Sequence, residues 1–202
     1  MNISSLTGKP GGGVLSRVLL LYGAYTLCHN LAFLLGYYVL WPGAMRDHPA
    51  AMIASRVAES SSFWSEFAAT LLVNLVLTGS ICVLLNLQRV RTVPLGYLVT
   101  PFLGVTTGLF LGTNSLVALD LSGVLFLAGT ATGLTIGGAE TLGYVCLIAA
   151  TAGISIYQRQ SWRWDERFVR VRPLREVRLS RGEVFVLALG LVLIVVAAFR
   201  ET

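Results

Sequence analysis

The sequence predicts an all-α integral membrane protein: a polytopic transmembrane helical bundle of five full crossings, one re-entrant half-helix and a basic amphipathic cytoplasmic segment. Three observations carry that reading. Of 202 residues, 55% are hydrophobic and 12% are charged, whereas a soluble domain carries about a quarter charged residues. The mean hydropathy is +0.74. The apolar residues also fall in runs near the ~20 residues that a spanning helix needs, separated by short polar stretches. So few charges do not cover a water-soluble surface, and most of the chain has to face lipid or other helices. The length suits a single membrane domain over residues 1–202.

Residues 1–13 form a polar, Gly-rich tail, and no small-residue cleavage site follows the first apolar run. That run, Val14 to Leu40, is therefore expected to be a retained span and not a signal peptide. It ends at Trp41-Pro42, and Tyr37, Tyr38 and Trp41 make an interfacial belt. Met45 to Ser62 is polar enough for a loop with a short surface helix. A second span covers Phe63 to Leu87, and a tight connection from Gln88 to Val93 carries Arg89 and Arg91. The third span runs from Pro94, suited to a helix start, to Leu111.

The stretch from Leu121 to Tyr157 holds one formal charge, Glu140. As one straight helix it would extend about 55 Å at ~1.5 Å per residue, against a hydrocarbon core of about 30 Å. It has to break, and Gly137-Gly138-Ala139-Glu140 is the place. The final span runs from Gly182 to Phe199.

Basic residues set the orientation. With the N-terminus inside, the cytoplasmic segments collect Lys9, Arg17, Arg89 and Arg91; the opposite loops hold Arg46 and Arg56, and Thr113 to Leu121 holds no basic residue. The positive-inside rule then places Arg159, Arg163, Arg167, Arg170, Arg172, Arg175, Arg178 and Arg181 inside as well. That requires an odd number of crossings between Asp120 and Arg159. The expectation is a re-entrant half-helix over Leu121 to Ile136, a complete crossing from Ala139 to Tyr157, and a C-terminus outside. Re-entrant backbone is tolerated where protein or a wet cavity surrounds it. The basic segment 158–181 is amphipathic in either register. Phe168, Val171, Leu174 and Val177 fall at helical spacing, while Val169-Arg170-Val171-Arg172 alternates like a strand. It is expected as a broken helix on the cytoplasmic surface, facing anionic headgroups.

Four polar residues within the spans are candidates. Glu140, flanked by apolar residues, costs a few kilocalories per mole if unpaired. It is read either as a cap using the helix N-terminal dipole or as an ion- or proton-coupled site. Asn74 is an interhelical hydrogen-bonder, Glu66 an interfacial carboxylate, and His29 a packed group or a proton relay; a His29–Glu140 pairing would favour a functional role. Gly104 and Gly108 form a GxxxG pair, as do Gly129 with Gly133 and Gly133 with Gly137, which allows close helix approach.

Cys28, Cys82 and Cys146 lie in apolar runs without ligand spacing, so neither a disulfide framework nor a metal site is indicated. The net charge of +5 is concentrated in the Arg159–Arg181 stretch, which suits a membrane surface and not nucleic acid. There is no HExxH, no GxSxG and no phosphate-cradling loop. No catalytic residue or cofactor is implied.

Three stretches carry a family likeness. Glu66-Phe67 precedes Leu72-Val73-Asn74-Leu75. Gly137-Gly138-Ala139-Glu140-Thr141-Leu142 precedes Ala149-Ala150-Thr151-Ala152-Gly153. The chain closes on Val195-Val196-Ala197-Ala198-Phe199-Arg200-Glu201. In these the chain resembles the stage II sporulation protein M family of bacterial and archaeal membrane proteins, over 63–202. It departs from the family's Pro-His-Gly at Ile136-Gly137-Gly138 and from its paired asparagines at Val73-Asn74, and its first span has no counterpart there. The resemblance implies a membrane scaffold, with the family's glutamate at Glu140 and its asparagine at Asn74. The expected partners are the lipid bilayer and other membrane proteins, or further copies of the chain. The alternative is a small transporter or channel subunit with its site at Glu140.

Overall fold

The computed structural model describes residues 13–58, 62–115, 138–163 and 165–201. Four helices are long and apolar enough to cross a membrane. These are α1 (Val14–Val39), α3 (Phe63–Asn86), α4 (Leu95–Gly112) and the last helix, α6 (Arg181–Glu201). A shorter apolar helix, α5, covers Gly138–Thr151 and tightens into a 3₁₀ turn at Ala152–Ile154. The loop after α1 carries α2 (Pro49–Ala58). These boundaries follow the apolar runs to within a few residues, because the helices stop where the sequence supplies polar or backbone-breaking groups. After Leu40 turns extended, Gly43 adopts φ +81°, a conformation glycine takes without steric penalty. The start of α3 is fixed by Ser62, whose hydroxyl accepts from the Ser65 N–H, with Glu66 in the first turn, where negative charge suits the helix dipole.

α3 is not regular. Leu72–Gly79 is π-helical, a widened hydrogen-bonding pattern that often marks functional positions. Asn74 is buried within it.

Between the helices lies a small sheet that the all-α expectation does not contain. Its strands are β1 (Gln88–Val90), β2 (Val93–Pro94), β3 (Tyr157–Arg159) and β4 (Val169–Arg170), in the order β2-β1-β3-β4. β1 runs antiparallel to β2 and parallel to β3, which pairs antiparallel with β4. The expected broken helix in the basic segment is therefore corrected. Pro173 cannot donate within a helix, and the alternating run before it pairs as a strand. Leu174–Glu176 forms a 3₁₀ turn.

Glycines set how the helices run. A Cβ at Gly104 would lie 2.7 Å from the Tyr25 carbonyl oxygen, at Gly108 2.3 Å from that of His29, and at Gly112 2.4 Å from that of Phe33. The contacts advance together, so α1 and α4 are parallel and share a backbone-to-backbone seam. Gly143 and Gly190 face each other in the same manner, locking α5 against α6. A Cβ at Gly182 would lie 3.7 Å from Val14 Cγ1, and Phe199 packs on Phe63 and Phe67. One end of the bundle thus gathers the starts of α1, α4 and α6, the ends of α3 and α5, and the sheet. The core beside α5 is dense: Val145, Leu147, Ile148 and Ala149 are buried. The expected half-helix and the pairs formed by Gly129, Gly133 and Gly137 lie outside the described residues; of the expected break, Gly138, Ala139 and Glu140 are the first residues of α5.

Candidate functional site

Two kinds of polar structure stand out: contacts tied between helices, and the charged sheet at one end. Asn86, fully buried at the foot of α3, donates from Nδ2 to the Ile148 carbonyl (2.8 Å) and to Thr151 Oγ1 (2.7 Å). Its own carbonyl accepts from the Ser155 hydroxyl at 2.8 Å. Gly96 makes room for it, since a Cβ there would stand 2.2 Å from Asn86 Oδ1. The Ile156 and Tyr157 N–H groups both donate to the Leu87 carbonyl, at 2.8 and 2.9 Å, and from there β1 and β3 run side by side.

On the sheet, Arg89 donates from Nε (3.1 Å) and Nη2 (2.7 Å) to Gln158 Oε1, its in-register neighbour. Burial, and then the charge of Arg172, pull the Arg89 guanidinium below its ordinary pKa. Arg172 Nη2 donates to the Gly153 carbonyl at the end of α5. Arg159 lies 5.0 Å over the Phe168 ring. Arg163 pairs with Asp165 at 3.4 Å on the surface, a contact of little energetic weight. Glu166 accepts from the Ser161 hydroxyl and from the Gln160 and Ser161 N–H groups. These bonds, the Ser161 hydroxyl first, hold its carboxyl below the usual range. Of the eight arginines singled out, Arg159 and Arg172 are half-buried, while Arg163, Arg167, Arg170, Arg175, Arg178 and Arg181 are exposed.

The intramembrane candidates do not converge. Glu140 Oε1 accepts from the Tyr144 hydroxyl, one turn on along α5, at 2.5 Å. His29 is buried on the α1–α4 seam, with Nδ1 3.0 Å from Thr107 Oγ1 and 3.5 Å from the Tyr25 hydroxyl. It meets Thr107 and Tyr25, not Glu140. Asn74 lies elsewhere on α3, and Glu66 sits half-buried at that helix's start.

Two features escape the sequence-level candidates: Tyr144 and a buried ion pair. Arg17 is 4% exposed and reaches Glu183 at 2.7 Å. Spacing gives no hint of it, since 166 residues separate the partners. A cavity of about 440 Å³ opens beside the π-helical stretch, lined by Leu75, Val76, Leu84, Leu147, Leu187 and Leu191 among others; it is apolar and does not lie on Glu140. Among the described residues, no group of three or more His, Cys, Asp or Glu side chains is placed to hold a metal.

The long apolar helices mark the chain as a membrane protein. No family model matches it, nor does any curated protein or solved structure.

Proposed function

We propose that this chain is a non-catalytic integral membrane scaffold or accessory subunit, acting as the stage II sporulation protein M family that it resembles. The observation that carries the reading is the sheet. Two connections far apart in sequence are tied into one rigid surface, which displays exposed arginines at one end of the bundle. The interior polar groups Asn86, His29 and Arg17 each bond a neighbouring helix, as suits a protein that holds its shape while presenting a surface.

In this reading α1, α3, α4, α5 and α6 cross the membrane, and a re-entrant half-helix precedes Gly138. The sheet end faces the cytoplasm and the C-terminus lies outside. Support comes from the gathering of Arg89, Arg91 and the 159–181 arginines at one end, which fits the positive-inside rule. The start of α4 and the end of α5 meet there too, so the chain between them returns to the side it left.

The test is purification of the full chain in mild detergent beside a variant with Arg163, Arg167, Arg170 and Arg175 changed to Gln. A membrane protein in fixed stoichiometry with the wild type, and lost from the variant, supports the scaffold. A defined homo-oligomer with nothing else bound contradicts it.

A second reading, a transporter or channel subunit, draws on one observation: α5, which carries the Glu140–Tyr144 bond, packs against the π-helical stretch of α3. Glu140→Gln separates the two. The scaffold predicts lower abundance with unchanged solute flux, and the transporter predicts altered flux at normal abundance.

A further inference from the structure

Arg89 and Arg172 reach the feet of α3 and α5 from separate connections. Pairing of β1 with β3 sets Arg89 beside Gln158. The Val171 N–H donates to the Ile156 carbonyl at 2.9 Å, which turns the following residue, Arg172, back over Gly153. The Arg172 charge adds to burial in pulling the Arg89 guanidinium below its ordinary pKa. Ion pairs among the described residues are Arg17–Glu183 and Arg163–Asp165, so neither guanidinium rests on a carboxylate. Arg89 leans on a neutral oxygen, and Arg172 Nε is buried with no partner among the described residues. Closing the C-terminus of α5 accounts for one nitrogen of Arg172; it does not account for a second guanidinium beside it.

Two neighbouring cations in a half-buried setting repel unless an anion sits with them. Guanidinium forks match phosphate oxygens in geometry. Arg89 lies three residues beyond the end of α3, at the height where lipid headgroups meet the protein. Val169, next to Gln158 in the sheet, and Trp162 and Leu174 in the same basic segment are exposed, apolar groups of the kind that settle into the headgroup boundary. We propose that Arg89 and Arg172 grip the phosphate of an anionic lipid headgroup. This rests on the membrane reading above, but not on which leaflet the sheet faces.

The test uses the purified full chain in maltoside micelles doped with phosphatidylglycerol or phosphatidylcholine, or given inorganic phosphate. Thermal midpoint and lipid retention in native mass spectrometry are read together. Phosphatidylglycerol is expected to raise the midpoint where phosphatidylcholine does not. Its affinity should fall about tenfold or more in Arg89→Gln, as for loss of a charge-assisted hydrogen bond. Arg172→Gln would also lose the Gly153 contact, so Arg172→Lys, which keeps the charge without the fork, is the second variant. Arg178→Gln, on the exposed surface, should bind as the wild type does. An equal response to inorganic phosphate overturns the lipid assignment and leaves a free-phosphate site at the same residues. No selective response, or one undiminished in both variants, overturns the proposal. Micelles have no sidedness, so failure here does not bear on the cytoplasmic placement, nor does failure of that placement bear on this site.

Discussion

Alanine at Gly108 would place its Cβ 2.3 Å from the His29 carbonyl oxygen, 2.9 Å from the Ala32 Cβ and 3.0 Å from the Phe33 nitrogen. Ordinary contact begins near 3.4 Å, so α1 and α4 must part locally by about 1 Å, with loss of the dispersion contacts along the seam. Two of the three clashing atoms are backbone, which cannot rotate aside. The same displacement would stretch the 3.0 Å contact between His29 and Thr107 to about 4 Å, beyond hydrogen-bonding range. Overpacking costs about 1–3 kcal/mol, and a lost interhelical hydrogen bond in a membrane about 0.6 kcal/mol. The better helix propensity of alanine returns up to about 1 kcal/mol. The net expectation is a loss of about 1–3 kcal/mol, read from unfolding in mixed micelles of rising denaturing-detergent content. Gly23→Ala on α1 is the control, because nothing lies within 4 Å of its Cβ position; it should be neutral or slightly stabilising. If Gly108→Ala proves as stable as Gly23→Ala, the α1–α4 seam is not packed as described.

Three further outcomes follow from the buried contacts and the sheet. Asn86→Ala should cost about 1–3 kcal/mol by leaving the Ile148 carbonyl and the Thr151 hydroxyl without their donor. Gly96→Ala should then be far less harmful in that background than in the wild type, since its clash is with Asn86, and a double-mutant cycle measures this coupling. Glu183→Gln strands the buried Arg17 charge and should destabilise by about 3–5 kcal/mol in the same unfolding assay. Glu166, whose folded pKa is lowered, stabilises its turn fully above the ordinary carboxylate range and loses that contribution as pH falls through the lowered value. The protection factors of the Gln160 and Ser161 amide hydrogens, taken against the intrinsic exchange rate at each pH, should drop across that acid window in the wild type, whereas Glu166→Gln should show no such step.

Much of the helical architecture is legible in the sequence because lipid demands it. A run of apolar residues ending at Trp41-Pro42, or beginning at Pro94, leaves little choice of element or boundary. The sheet is not legible, for a physical reason. β1 and β3 are three residues each, too short for a period of two to be read, and the pairing between Arg89 and Gln158 joins segments 69 residues apart. The alternation in Val169-Arg170-Val171-Arg172 was compatible with either element, and partner strands decided it. The polar interior shows the same divide. Asn74 and His29 announce themselves as polar groups in apolar runs, but nothing local reveals that His29 meets Thr107, or that Arg17 is buried against Glu183. Asn86 and Gly96 make the point most sharply, since the glycine has its meaning in a side chain ten residues away.

The proposed placement of the charged sheet on the cytoplasmic side is tested most directly by thiol labelling in intact cells. Cys28, Cys82 and Cys146 would be replaced, and single cysteines introduced at Asp47, in the loop after α1, and at Arg178, beside the sheet; both positions are exposed. A membrane-impermeant maleimide should label Asp47→Cys at once, and Arg178→Cys only after the membrane is permeabilised. Labelling of Arg178→Cys in intact cells, with Asp47→Cys protected, would turn the molecule over and contradict the account.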